Sequence, residues 1–253
     1  MLLNAQFTKS TKQTLQPTLV FIHGLFGSLS NLGMLARAFH EQYDVVQIDL
    51  RNHGLSEHSD EMTYELMAQD VLTTLDHLDV GEFIVIGHSM GGKVAMKLAD
   101  FAGARLNKLI ILDMSPVIYT ASHHENIFKA LQAVKNANIK LRKDATAIMQ
   151  DYISETGVIQ FLLKSFKDGN WLFNVESLHK NYANIMSWNE NRMTDQKCLF
   201  LKGENSDYID IENHVDAIQR QFSNSTIQVV ENSGHWLHAE KTNVVVDKIN
   251  NFL

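Results

Sequence analysis

The stretch IGHSMGGKV, residues 86–94, contains two chemical motifs at once. As G-x-S-x-G it holds a nucleophile, Ser89, on a sharp turn between a strand and a helix. As G-x-x-x-x-G-K it matches a loop that cradles nucleotide phosphates. That loop needs a serine or threonine hydroxyl after its lysine to bind magnesium, and the position is occupied by Val94. The residues therefore favour the nucleophile and leave Lys93 as an ordinary helix residue.

Two backbone N–H groups are predicted to receive the negative charge that forms on a substrate oxygen. Met90 follows the serine at the start of a helix, where unpaired N–H donors and the helix dipole favour an anion. The loop FIHGLFGS, residues 21–28, follows an early strand and supplies the second donor from Leu25, with Phe26 next in order. His23 is expected to brace this loop by hydrogen bonds.

The base is predicted near the end of the chain, in ENSGHWLHAEK, residues 231–241. A histidine on a loop after the last strand completes the chain order Ser, acid, His. His235 directly follows a glycine in that loop, whereas His238 lies where a helix begins. We therefore predict that His235 takes the proton from the serine.

Short apolar runs bounded by turn residues predict the strands that carry these loops. The runs are continuous rather than alternating in polarity, as expected for strands buried on both faces of a sheet. Between them lie segments with helical spacing, such as residues 64–78. This alternation predicts an α/β fold with a mostly parallel sheet and helices on both faces. The predicted strands are 19–22, 45–48, 83–86, 109–112, 199–201 and 227–230, with an edge strand at 2–7.

The alternation stops between residues 117 and 188, where the pattern predicts helices and no strand. An insertion of helices after a strand is expected to cover the carboxyl edge of the sheet, where open α/β sheets bind ligands. We predict an α/β core over 1–116 and 189–253 and a small helical lid over 117–188, called the lid segment below. Its predicted helices are 125–136, 145–154 and 176–186, with a turn in KSFKDGNW at 164–171.

Taken together, the motifs resemble the α/β-hydrolase superfamily. HGLFGS, DLRNHGLS, GHSMGGK, ILDMSP, VIQFLLKSF and GHWLHAEK match it nearly end to end. The stretch GVIQFLLKSFKDGNW, residues 157–171, is similar to the bacterial YbfF-type esterases in particular. The resemblance implies a compact hydrolase with a small lid that acts on carboxylic esters and on acyl thioesters such as acyl-CoA. A Ser-His-Asp triad working through an acyl-enzyme requires neither a cofactor nor a metal.

Two aspartates compete for the role of the acid. The superfamily pattern G-x-x-D after strand 199–201 is broken, because Ser206 stands at the Asp position and Asp207 comes one residue late. Asp113 instead ends the strand that follows the nucleophile's helix, at the same edge of the sheet. The YbfF-type resemblance also implies an acid at this earlier position. We predict Asp113, keep Asp207 as the alternative, and expect Ser206 to hydrogen-bond the pair formed by His235 and Asp113.

The composition of the whole chain narrows its partners and location. A net charge of −7 and no dense basic run argue against a nucleic-acid or anionic-membrane partner. The polar start predicts no signal peptide, and no apolar run approaches the roughly 20 residues of a membrane span. A single cysteine, Cys198, fits a reducing cytoplasm. The expected partner is a small-molecule acyl ester or thioester, while oligomeric state and acyl-chain length stay open.

Two other functions stay open on the sequence. A cofactor-free C–C bond hydrolase or lyase uses the same triad on the same fold and differs in its lid and pocket. A non-catalytic ligand-binding homologue keeps the fold without the chemistry, although the complete triad that the sequence predicts argues against it.

Overall fold

The computed structural model describes residues 1–12, 15–120 and 124–253. One sheet within these residues contains Ala5–Thr8 (β1), Thr18–Ile22 (β2), Val45–Ile48 (β3), Phe83–His88 (β4), Leu106–Leu112 (β5), Lys197–Gly203 (β8) and Ser225–Val230 (β9). Phe166–Lys167 (β6) and Asn170–Trp171 (β7) form a separate hairpin. The sheet order is β1-β3-β2-β4-β5-β8-β9, antiparallel at β1 and parallel between the other neighbours.

The central strands are buried on both faces, which explains their continuous apolar sequences. In β2, Val20 and Ile22 belong to one hydrophobic core, whereas Leu19 and Phe21 belong to a second core. Successive side chains of a strand point to opposite faces, so each strand contributes to both cores. The predicted α/β fold with a mostly parallel sheet is therefore confirmed.

Helices cover both faces of this sheet. The helices of the described residues are Gly33–Arg37 (α1), Tyr64–His77 (α2), Met90–Leu98 (α3), Glu125–Asn136 (α4), Arg142–Met149 (α5), Thr156–Leu163 (α6), Val175–Lys180 (α7), Tyr182–Met186 (α8), Ile211–Gln221 (α9), Leu237–Glu240 (α10) and Thr242–Asn250 (α11). Helices α2 and α3 contribute Val71 and Val94 to one core, and α1 and α11 contribute Leu35 and Val245 to the other. Within the described ranges, no helix has both the length and the apolar character that crossing a bilayer demands.

The segment between β5 and β8 contains α4 to α8 and the β6–β7 hairpin. The expectation of no strand there was wrong, because Asp168 and Gly169 both take positive φ (51° and 86°) and close a two-residue hairpin turn. An Asp-Gly pair is a strong hairpin signal, so the sequence did contain the information. The division into core and lid segment stays a prediction, and residues 13–14 and 121–123 of those ranges lie outside the described residues.

Candidate active site

Ser89 lies on the turn between β4 and α3, with φ 54° and ψ −122°. A non-glycine residue with positive φ is strained. The sharp turn that requires this φ directs the Ser89 side chain away from the end of the sheet. The turn closes tightly around two glycines. A Cβ on Gly87 would lie 2.2 Å from the Gly91 carbonyl oxygen, and a Cβ on Gly91 would lie 2.4 Å from the Ile22 and His23 carbonyl oxygens. Only glycine fits at both positions.

Ser89, His235 and Asp113 are joined by hydrogen bonds. The Ser89 Oγ lies 2.9 Å from His235 Nε2, and His235 Nδ1 lies 2.7 Å from Asp113 Oδ2. Since the carboxylate accepts, Nδ1 carries the proton and Nε2 is the acceptor for the serine hydroxyl. The three side chains come from the ends of β4, β5 and β9, which the parallel sheet brings to one edge.

Asp113 is fully buried at the end of β5, and further donors surround its carboxylate. The Gly203 N–H donates to Oδ1 at 2.9 Å, and the Ser206 hydroxyl donates to Oδ2. Asp207, the alternative acid, has an exposed side chain. Ser206, which stands where the G-x-x-D pattern has its Asp, thus donates a hydrogen bond to the carboxylate that His235 contacts.

The two predicted oxyanion donors lie on opposite sides of the nucleophile in sequence. Leu25 follows β2 and Met90 is the first residue of α3. Across residues 1–12, 15–120 and 124–253, neither N–H donates to a protein acceptor. The N–H of Phe26, the second candidate for this donor, already donates to His53 Nε2 at 3.2 Å, which favours Leu25.

His23 braces the loop at residues 21–28, called the oxyanion loop below after its predicted role, as the sequence predicted. Its Nε2 accepts a hydrogen bond from the Leu50 N–H at 3.0 Å, and its Nδ1 donates to the Gly24 carbonyl at 2.7 Å. Burial lowers the pKa of His23 below its usual value. A neutral ring is what this pair of bonds requires, because a protonated imidazole has no acceptor nitrogen.

Two buried histidines, His88 and His238, lie beside the base. The Nε2 of His88 donates to the His235 carbonyl at 2.8 Å, and its ring centroid lies 4.3 Å from that of His238. Burial lowers the pKa of His88 well below its ordinary value and that of His238 to about 3, with smaller contributions from neighbouring histidines. Both rings therefore stay neutral near pH 7. Of the two histidines in GHWLHAEK, the one bonded to Ser89 is His235.

A cavity of about 200 Å³ opens at Ser89. Its walls come from the oxyanion loop, from the lid segment and from the residue after the base. They are largely apolar and include Leu25, Phe26, Val158, Phe161, Leu162 and Trp236. The Phe161 and Trp236 rings meet at 5.7 Å between centroids, so α6 of the lid segment closes the cavity beside His235. Such a pocket suits an acyl chain better than a charged group.

Sequence reasoning missed two residues next to this centre. Lys93 was expected to be an ordinary helix residue, but it is 1% exposed, donates from Nζ to the Ser187 carbonyl at 2.9 Å and lies over the Tyr119 ring. Burial lowers the pKa of Lys93 to about 7. Tyr208 stacks on the His235 ring, with centroids 3.8 Å apart. The spacing of four residues from Ser89 could have placed Lys93 one helical turn below the nucleophile, whereas nothing local in the sequence marks Tyr208.

Comparison with known proteins identifies the fold family of this chain. A family model described as alpha/beta hydrolase fold matches residues 17–138. The chain is 42% identical over 253 residues to the esterase YbfF of Escherichia coli K12, covering 100% of this chain and 99% of that protein. It is 36% identical over 249 residues to the sn-1-specific diacylglycerol lipase ABHD11 of Mus musculus, covering 94% of this chain and 81% of the relative. The solved structure of a marine microorganism esterase superposes with a TM-score of 0.92 at 33% identity, covering 100% and 99% of the two chains.

Proposed function

This chain belongs to the α/β-hydrolase fold family, and on that premise we propose that it is a serine esterase that hydrolyses carboxylic esters and acyl thioesters. The observation that carries the proposal is the unbroken hydrogen-bond chain from Ser89 through His235 to Asp113, at the floor of an apolar cavity. A nucleophile, a base and an orienting acid in this geometry are the requirements of acyl transfer.

In the proposed acylation step, Ser89 Oγ attacks the acyl carbonyl carbon while its proton moves to His235 Nε2. The carbonyl π electrons move to the substrate oxygen, which the N–H groups of Leu25 and Met90 receive. Losing one such donor typically costs about 3–4 kcal/mol of transition-state stabilisation. The alcohol or thiol then leaves with the proton from His235, and the acyl group stays on the serine.

The second half of the reaction returns the enzyme to its starting state. Water enters in place of the leaving group, and His235 Nε2 takes a proton from it as its oxygen attacks the acyl-enzyme carbonyl. Collapse of the tetrahedral intermediate returns that proton to Ser89 Oγ and releases the carboxylic acid. Asp113 keeps Nδ1 protonated throughout, so that Nε2 is always the nitrogen that exchanges the proton. Ser206 supports this role through its bond to the carboxylate.

The substrate class is tested with a panel of acyl groups and leaving groups. It contains a nitrophenyl ester, an acyl-CoA series, a diacylglycerol and a vinylogous diketone. The diacylglycerol is included because the mouse relative is named a diacylglycerol lipase. Ester and thioester turnover supports the proposal, whereas turnover of the diketone alone identifies a C–C bond hydrolase on the same fold.

Covalent labelling tests the nucleophile itself. A fluorophosphonate probe should label the wild-type protein at Ser89, and Ser89→Ala should lose both labelling and hydrolysis while its melting temperature is unchanged. A Ser206→Ala variant serves as the matched control for a buried serine in the same centre, and it should still be labelled. A wild-type protein that neither reacts with the probe nor turns over any substrate would be a ligand-binding homologue, which contradicts the proposal.

A further inference from the structure

The loop between β8 and α9 delivers an aromatic ring to the base. The Tyr208 ring lies face to face with the His235 ring, with centroids 3.8 Å apart and planes inclined by only 19°. This contact is much closer than the 6.5 Å between the His235 and Trp236 centroids. The face of Tyr208 therefore covers the imidazole on which a positive charge forms during the proposed reaction.

The ring is held in this position by bonds from its own backbone. The Tyr208 carbonyl accepts a hydrogen bond from the Tyr119 hydroxyl at 2.5 Å, and its N–H donates to Ser206 Oγ at 3.3 Å. Ser206 in turn donates to the Asp113 carboxylate. The loop that lacks the expected acid thus supplies a donor to the acid and a ring to the base.

An aromatic face attracts a cation. The ring quadrupole places negative charge above its face, and a cation within about 6 Å of the centroid gains about 0.5–2 kcal/mol, depending on how dry the site is. Neutral imidazole has no such charge to attract. A ring stacked on His235 therefore favours the protonated form over the neutral form, and that difference lowers the energy of the transition state relative to the resting enzyme.

On the premise of the proposed function, we propose that Tyr208 is a catalytic residue of this centre. Its ring stabilises the imidazolium form of His235. When the Ser89 Oγ–H bond breaks and the proton joins Nε2, the positive charge spreads over the ring that Tyr208 covers. Asp113 stabilises the same charge in the plane of the imidazole, from Nδ1, while Tyr208 acts on its face.

Among the described residues around His235, two histidines and the Tyr208 phenol stay neutral near pH 7. Asp113 contacts His235 from β5, His88 from β4 and His238 from α10. Burial keeps His88 and His238 neutral by lowering their pKa values, and it raises the pKa of the Tyr208 phenol, which also stays neutral. The positive charge that forms beside the Tyr208 ring during the proposed reaction is therefore the one on His235.

The test replaces Tyr208 with rings of graded electron density. Tyr208→Phe keeps the ring, mono- and trifluorinated phenylalanine keep its shape while weakening the negative face, and Tyr208→Leu removes it. The His235 imidazole is titrated by NMR in each protein, with its signals assigned by comparison with His235→Gln. We expect its titration midpoint to fall stepwise along the series, by about half a pH unit or more in total. The kcat should fall in parallel, by about threefold or more at the end of the series.

Loop packing alone would give a different result. If Tyr208 only supports the loop, the fluorinated variants titrate and turn over like Tyr208→Phe, because their shape is preserved, and the proposal is overturned. Because the fluorinated rings maintain the fold, the series decides the matter even where Tyr208→Leu fails to fold. The NMR midpoint does not depend on turnover. Absence of hydrolysis in the wild-type protein would therefore contradict the esterase proposal, while the midpoint still decides whether the ring favours the cation.

Discussion

At the scale of single residues, one variant can test the assignment of Asp113 as the acid that hydrogen-bonds His235. In Asp113→Asn the amide NH₂ can donate toward Nδ1, which favours the tautomer whose proton lies on Nε2 and faces Ser89. A base that already carries this proton cannot accept another from the serine. We expect kcat to fall by about four orders of magnitude. The measurement is kcat on a nitrophenyl ester near pH 8, with far-UV circular dichroism to verify the fold.

Asp207→Asn is the matched control for this variant. Its carboxylate is exposed and lies in the same stretch of loop as Ser206, so its loss should leave kcat within about twofold of the wild type. The opposite pattern, a large loss in Asp207→Asn and a small one in Asp113→Asn, would transfer the role of the acid to Asp207.

The residues that sequence reasoning identified are those with a local signature. Ser89 stands between two glycines on a strand–helix turn, and Asp113 ends a strand beside it. Tyr208 has no such signature, because its stacking on His235 depends on the path of a loop that meets the base only in three dimensions. Lys93 was predicted to be an ordinary helix residue, although α3 is buried along its whole length. A charged residue on a central helix is buried when carbonyls and aromatic faces receive its ammonium group.

At the scale of elements, the close contact between β2 and α3 fixes the nucleophile relative to the oxyanion loop. In Gly91→Ala the new Cβ would lie 2.4 Å from two carbonyl oxygens at the end of β2, and backbone atoms cannot move aside as a flexible side chain can. We expect a loss of about 3 kcal/mol or more in the free energy of unfolding, equivalent to a fall of about 10 °C in Tm. The kcat of the folded variant should also fall, because a shift of β2 moves the Leu25 N–H away from the substrate oxygen.

Gly81→Ala provides the control, because a Cβ there has no atom within 4 Å. Its free energy of unfolding should stay within about 0.5 kcal/mol of the wild type. Thermal melts and urea titrations of both variants measure the difference. Equal stability of the two variants would mean that the β2–α3 contact relaxes more easily than its spacing implies.

The strands and the lid segment differed in how well the sequence predicted them. The central strands were found to within a few residues, because burial on both faces gives them continuous apolar sequences. In the lid segment, α4 was predicted at its observed bounds, but α6 was missed and one predicted helix is divided into α7 and α8 at Asn181. Short helices that pack against one another and against an active-site cavity have little periodic pattern of their own, so tertiary contacts decide where they end.

At the scale of the whole molecule, the edge of the sheet that holds the site also holds a group of buried neutral histidines. His23 follows β2, His53 follows β3, His88 ends β4 and His238 follows β9. All four are at most 7% exposed, and burial lowers the pKa of each. The hydrogen bonds and packing that shape the oxyanion loop and the loop that carries His235 thus depend on rings that must stay uncharged. Acid should therefore destabilise the fold at the site itself.

The size of this effect follows for His238, whose pKa is lowered from 6.5 to about 3. Between these two values the unfolded chain binds a proton that the folded chain does not, so the stabilisation is complete above pH 6.5 and is lost as the pH falls. From pH 7.5 to pH 5 we expect this histidine to contribute a loss of about 2 kcal/mol in the free energy of unfolding. In His238→Phe, urea titrations at the two pH values should give a difference smaller than that of the wild type by this amount. The exposed His77→Gln serves as the control and should retain the wild-type difference. If His238→Phe also retains it, the acid sensitivity resides in other groups.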